Sequence, residues 1–392
     1  MDRSIDECFL YIQNGANIKQ GEVDGGYPIT RIETTANDCF NRDRMGYAGI
    51  TDIAKYKNYV LEDGDLLMSH INSLQYLGRT VLYEKQGNET IIHGMNLLRL
   101  KANREIINPA YAKYCFYSFA FKQQLANITK KSVNQASFAV KDLKRIRIDV
   151  PTIDEQNKIV SILDTIKKII ANRQKELAIF DDLIKARFVE MFGSVEKKIP
   201  LSTLCDVSGG YSFKSGDITS DGAVKILQIG NVYLDDISWE TTNYLPKGYD
   251  ETYSRFLLNK GDIVVALTRP IIQSLGNVKA CIVRDLDLPC LLNQRVGRIV
   301  PRNNKEVSNL FIYGCLMTCD FTRYVKSCCI GCSQPNISLN DIGNYMIPDV
   351  SFNEQMMFVN FKEQIDKSKF SIVNGEYISP VVEFQRGVYD RK

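Results

Sequence analysis

The chain has 392 residues, 44% of them hydrophobic and 24% charged, with a net charge of +3. That balance excludes a disordered or collagen-like chain, and at ~150 residues per domain it predicts two or three domains. No apolar run reaches the ~18 residues of a membrane span, and the polar start Met1-Asp2-Arg3-Ser4-Ile5-Asp6-Glu7 does not read as a signal peptide. The expectation is a cytoplasmic protein, away from membranes, with its eleven cysteines reduced.

Short β-branched or leucine runs bounded by Gly, Asn and Asp predict strands near Ile29–Ile32, Asp65–Met68, Thr80–Tyr83 and Leu97–Leu100. A helix follows over Pro109–Ile128, with Pro109 as its start signal. From Lys122 to Arg147 seven basic residues (Lys122, Lys130, Lys131, Lys141, Lys144, Arg145, Arg147) face one acid, Asp142, a stretch that suits either phosphate contact or a solvated face. After Pro151, Thr152 or Asp154 can cap a long helix. Its apolar residues Ile159, Leu163, Ile166, Ile170, Leu177, Phe180, Ile184 and Met191 step by four and three, with Arg173 and Arg187 at two seam positions. A 3.5-residue period kept over more than four heptads predicts a coiled coil, ~58 Å long from Asp154 to Phe192.

The plan then repeats. Strands are predicted near Ile226–Ile229, Ile263–Leu267, Ala280–Val283 and Gly297–Val300, and a helix over Ser308–Ser327. After Pro348 a second, shorter helix carries Phe358, Phe361, Ile365 and Ile372 at the same spacing. The tail from residue 373 to 392 holds turn signals at Asn374-Gly375 and Ser379-Pro380 and no periodicity. The repeat shows in the residues themselves. Gly64-Asp65-Leu66-Leu67 matches Gly261-Asp262-Ile263-Val264, Met95-Asn96 matches Leu292-Asn293, and Glu155-Gln156 matches Glu354-Gln355, in the same order and about half a chain apart.

With its two long units, each followed by a proline, a Glu-Gln pair and a helical spacer, the sequence resembles the specificity subunits of type I restriction-modification systems. The resemblance rests on Pro151-Thr152-Ile153-Asp154-Glu155-Gln156 and Pro348-Asp349-Val350-Ser351-Phe352-Asn353-Glu354-Gln355. It rests also on the paired openings Ser4-Ile5-Asp6-Glu7-Cys8 and Leu201-Ser202-Thr203-Leu204-Cys205, and on the phrases Ser132–Ser137 and Ser333–Ser338. It implies an α+β chain of two tandem mixed α/β target recognition domains, 1–150 and 199–347, separated by long helices that form an antiparallel coiled coil. The central spacer is 151–198, and the shortened second helical region is 348–372. It implies a non-catalytic subunit that reads a bipartite, asymmetric site on double-stranded DNA. The partners it implies are two modification subunits, which would methylate adenine with S-adenosylmethionine, and restriction subunits that would use ATP and magnesium.

The residues carry no evident active site. His70 and His93, the only histidines, lack a metal-ligand spacing, and neither a nucleotide-binding Gly-x4-Gly-Lys loop nor an Asn-Pro-Pro-Tyr motif occurs. Cys315, Cys319, Cys328, Cys329 and Cys332 are spaced for zinc in principle. The matching stretch of the first unit has only Cys115, so they read as small apolar residues and no metal is expected. Side chains able to make paired bonds to base edges, placed on loops at strand ends, are the candidate DNA contacts. In the first unit these are Arg31, Ser69, His70, Asn72, Arg79, Lys130, Lys131, Asn134 and Gln135, although His93 reads as packed. In the second they are Gln228, Asn231, Thr268, Arg269, Gln273, Gln334 and Asn336. The competing reading is an assembly adaptor, or an inactive truncated copy that binds modification subunits without reading a full site; the short second helix is its basis.

Overall fold

In a computed structural model of the chain, residues 1–20, 25–132, 135–272, 276–329 and 335–374 are described. Two compact units emerge, 1–171 and 172–392. Each is built on an antiparallel four-stranded sheet. In the first unit the order is Phe9–Asn14, Leu97–Ala102, Leu66–Ser69, Thr80–Leu82; in the second it is Cys205–Gly209, Val296–Pro301, Ile263–Ala266, Ala280–Ile282. The repeat read in the sequence is therefore a repeat of topology.

The shared Gly-Asp motif has a physical reason in both copies. Gly64 (φ +84°) and Gly261 (φ +88°) turn into the strand through the left-handed region, which a side chain disfavours. The following aspartate is buried and accepts a bond from the backbone N–H three residues earlier, Glu62 to Asp65 at 2.6 Å and Asn259 to Asp262 at 2.7 Å. An arginine of the neighbouring strand pairs with it, Arg99 Nε at 2.7 Å and Arg298 Nε at 2.8 Å. A buried charge needs such a partner, and each unit supplies it in the same way.

The strands predicted from the sequence are present, with one exception, while the edge strands Phe9–Asn14 and Cys205–Gly209 join them unforeseen. Ile29–Ile32 is not a strand. Only Ile29 bridges, to Gly46 and Ile92, and the chain then turns into a 3-10 segment at Ile32–Asp38, held where Arg31 N–H donates to Thr34 Oγ1 at 2.9 Å. The same three-way pairing exists in the second unit as full strands, Asn243–Leu245, Val224–Leu227 and Cys290–Leu292. The helices expected over Pro109–Ile128 and Ser308–Ser327 are each two. Ser118 (ψ 151°) and Thr318 (ψ 154°) take extended backbone and cap the next helix through Phe121 N–H and Phe321 N–H, so a hydroxyl breaks each helix while the apolar pattern runs on.

The central helix runs unbroken over Ile153–Phe192, 40 residues. Thr152 caps it: Thr152 N–H and Oγ1 donate to Glu155, whose own N–H returns a bond to Thr152 Oγ1. Ser351 and Glu354 start the second helix, Phe352–Asn374, in the same way. In the first unit Ile159 packs on the domain core, while Leu163 and Ile166 are half-buried. In the second unit Leu177 and Phe180 are half-buried, and Ile184 and Met191 join the core. There the two helices run antiparallel, fixed by Phe188 against Phe358 (5.0 Å between ring centroids), Arg187 over Phe361 (5.8 Å) and the Lys369–Asp181 ion pair. Phe358 is buried, and Phe361, Ile365 and Ile372 are half-buried along this contact.

One expectation is corrected here. Ile170, placed in the seam, is 48% exposed, because a heptad period marks an apolar face without supplying a partner along its whole length. The deepest anchors are Phe188 and Phe192, off the heptad positions, which stack with Phe311 and Phe358 as one aromatic cluster. Core burial rather than the heptad period sets the end of this helix.

Candidate nucleic-acid interface

In the first unit two loops expected to contact DNA are drawn into one small sheet. Ile71–Asn72 pairs with Ala136–Ser137, and Lys130–Lys131 pairs with that same strand from its other side. Asn72 and Lys131 thus flank Ala136. Lys130, Lys131 and Gln135 are exposed, and among the described residues neither lysine has an acidic partner. Asn72 is half-buried, its amide donating to Ser69 Oγ at 3.1 Å and its carbonyl accepting from Ser73 N–H at 2.8 Å. His70 is half-buried beside the Phe138 ring, and burial pushes its pKa down, so near neutral pH it is a polar rather than a charged group. Asn134 lies outside the described residues.

The second unit builds the counterpart from the same two segments, the stretch after the Ile263–Ala266 strand and the stretch that follows the helix pair. Thr268 bridges Asn336, with Thr268 Oγ1 donating to Asn336 Oδ1 at 3.0 Å, and Arg269 N–H donates to Pro335 O at 2.8 Å. Arg269 stands in the left-handed region (φ 48°) with its side chain exposed and, among the described residues, unpaired. Gln273 and Gln334 lie outside the described residues.

Other candidates do not join these surfaces. Ser69 is fully buried, and Asn231 is 2% exposed, with its carbonyl holding Gln228 N–H and its amide bonded to Ser238 O and Thr241 O. Gln228 accepts from Asn243 at 2.6 Å. Ser69 and Asn231 are thus corrected from base-contact candidates to parts of the frame, since polar residues at strand ends are buried here by the next layer of chain. Gln228 belongs to the same internal network. Arg79 lies over the Tyr76 ring at 4.3 Å and pairs with Asp38 at 3.2 Å, and Arg31 opens the Ile32–Asp38 turn outside the small sheet. The basic stretch divides too. Lys144 pairs with Asp6, Arg145 with Asp142, Arg147 with Asp2, and Lys122 lies over the Tyr117 ring. Lys130, Lys131 and Lys141 remain exposed and without an ion pair among the described residues. Buried His93 bonds Leu97 O through Nε2 at 3.0 Å, and desolvation holds its pKa down to about 3.

The cysteines spaced for zinc separate in space: Cys315 is buried, Cys319 exposed, and Cys329 Sγ donates to Asn336 O at 3.5 Å. Cys332 lies outside the described residues, among which no group of three or more His, Cys, Asp or Glu is placed to hold a metal.

The profile of the type I restriction modification DNA specificity domain matches this sequence twice, at residues 2–179 and 196–379. The chain belongs to this family. Two specificity subunits of Methanocaldococcus jannaschii type I restriction enzymes are similar along nearly all of it. The MjaVIII subunit is 27% identical, over 90% of this chain and 85% of that one, and the putative MjaX subunit is 27% identical, over 95% and 91%. The fold is also that of a chain in a solved type I restriction-modification system, with a TM-score of 0.56 at 14% identity, covering 100% of this chain and 96% of the other. Specificity chains of this family are the non-catalytic members of their enzymes. Among the described residues no helix is long and apolar enough to cross a membrane.

Two functional features escaped the sequence reading. The aromatic cluster had its signal in the neighbouring off-period phenylalanines. The buried amides of Gln156 and Gln355, which accept from the backbone N–H groups of Asn108 and Ser308, were signalled only by their recurrence after glutamate.

Proposed function

We propose that the chain reads the two halves of a split, asymmetric site on duplex DNA and directs adenine methylation and restriction by its partners. One observation carries this reading. In both units the stretch after the third sheet strand meets the stretch after the helix pair, as a small sheet in the first and an isolated bridge in the second, yet they present different side chains: Asn72, Lys130, Lys131 and Gln135 in one, Thr268, Arg269 and Asn336 in the other. Like frames with unlike residues are what two different half-sites require. Lys130, Lys131 and Lys141 supply phosphate contacts that set affinity without choosing sequence.

Two modification subunits would dock along the helices, where Ile162, Ile169 and Ile170 in the first unit and Ile179, Leu183 and Val189 in the second stand exposed. S-adenosylmethionine, ATP and magnesium would be used by the partner subunits, in the cytoplasm. The adaptor reading has one observation on its side: the second helix has 23 residues against 40 in the first.

The test is an insertion. Seven residues added after Ala171 keep the 3.5 period and lengthen the helix by ~10 Å, or about three base pairs. Methylated sites should keep both half-sequences and gain about three unread positions. Unchanged spacing would refute the spacer role.

A further inference from the structure

We propose that Gln156 and Gln355 are positioning residues that lock the start of each long helix to its recognition domain, and so set how strictly the protein demands one distance between half-sites. This rests on the reading of a bipartite site given above.

Gln156 is fully buried in the first turn of the central helix. Its Oε1 accepts from Asn108 N–H at 2.8 Å, and its Nε2 donates to Ile106 O at 2.9 Å and Pro151 O at 2.8 Å. Gln355 is 1% exposed and repeats the pattern: it accepts from Ser308 N–H at 3.0 Å and donates to Glu306 O at 3.3 Å and Val350 O at 3.4 Å. In each case two of the three backbone partners belong to the recognition domain, just before its first long helix, and the third belongs to the linker. A primary amide is the side chain for this task, because it offers an acceptor and two donors in one plane; an ionised carboxylate has no donor and an aliphatic chain has neither.

The Glu-Gln pair therefore divides its work. Glu155 and Glu354 close the first turn of their own helices. Gln156 and Gln355, the next residue in each case, tie that turn to the domain.

The leverage is large. From Gln156 to Phe192 the helix runs ~54 Å, so a tilt of about 4° at the joint moves its far end by about 4 Å, more than the ~3.4 Å rise of one base pair. Both joints have further support, from the Asn108–Asn157 bond (2.8 Å), the Tyr114–Asp164 bond and Ile159 at the first and from Phe358 at the second. The second lever is shorter, ~29 Å from Gln355 to Asn374, and the Gln355 donor bonds are longer, 3.3 and 3.4 Å against 2.9 and 2.8 Å, so loss of Gln156 should matter more than loss of Gln355.

The test uses the full chain with its cognate modification subunit and duplexes whose half-sites stand at the native spacing, one base pair closer and one base pair farther. Gln156→Met keeps the length of the side chain and removes its acceptor and both donors. The native-to-shifted ratio of methylation rates should fall about tenfold, with half-site sequence preference unchanged. Gln156→Glu, which keeps only the acceptor, should fall between, and Gln355→Met should show a smaller drop than Gln156→Met. An unchanged ratio in folded Gln156→Met overturns the proposal, as does a loss of spacing and half-site preference together, which marks general damage. If Gln156→Met does not fold, Gln156→Glu and Gln355→Met carry the same comparison. A wild-type chain that methylates no split site defeats the underlying reading instead, and the wild-type arm shows this separately.

Discussion

Replacing Phe188 by alanine tests the packing that joins the two helices in the second unit. The ring is 5% exposed and lies 5.0 Å from Phe192, 5.9 Å from Phe311 and 5.0 Å from Phe358. Removing about 150 Å² of buried ring at ~25 cal/mol per Å² costs about 4 kcal/mol, within the ~3–5 kcal/mol usual for Phe→Ala in a core. Gly314 faces the same ring: a Cβ there meets two Phe188 ring carbons at 2.7 Å. Gly314→Ala alone should cost ~1–3 kcal/mol by overpacking. In the double variant the new methyl enters space the ring has left, so the pair should cost less than the two changes added together, by ~1 kcal/mol or more. Urea unfolding followed by tryptophan fluorescence reads this directly, because Trp239, the chain's single tryptophan, lies in the second unit with its indole N–H bonded to Asp287 at 2.9 Å. A cost below ~1 kcal/mol for Phe188→Ala, or strict additivity in the double variant, would refute the reasoning.

Two further outcomes are expected. His93 is held neutral by burial, with its pKa lowered to about 3, while in the unfolded chain it titrates near ~6.5. Between those values the unfolded chain binds a proton that the folded one does not, so stability is complete above ~6.5 and falls with pH by up to ~1.4 kcal/mol per unit. His93→Gln should flatten that dependence in urea titrations followed by circular dichroism across the weakly acidic range; parallel curves for the two proteins would contradict it. Replacing Lys130 and Lys131 by alanine should weaken duplex binding for all sequences alike and reduce the slope of log K against log salt by about 1.8. An unchanged salt slope would remove both lysines from the interface.

Much of this fold was legible in the sequence because its repeat carries physical constraints. Gly-Asp is needed twice for a left-handed turn and a buried ion pair, and the long helix shows its period over many turns. What was missed depends on contacts that no local pattern holds. Ser118 and Thr318 break helices whose apolar spacing continues across them. Ser69 and Asn231 look like loop residues, and only the layer packed over them makes them internal. Phe188 and Phe192 lie off the heptad because they serve the domain core. Of the candidate interface, the segments were identifiable, since two loops recur in both halves; which side chains stay free depended on ion pairs such as Lys144–Asp6 and Arg147–Asp2, which join residues far apart in the chain.

That two unlike readers act on one DNA molecule is tested most directly by a map of methylated adenines in cells that express this chain with a cognate modification subunit. One split motif is expected, with two different half-sequences at a fixed separation. A palindromic motif would contradict this, because a single reader would then be acting twice, and an absence of methylation beside a competent modification subunit would favour the adaptor reading.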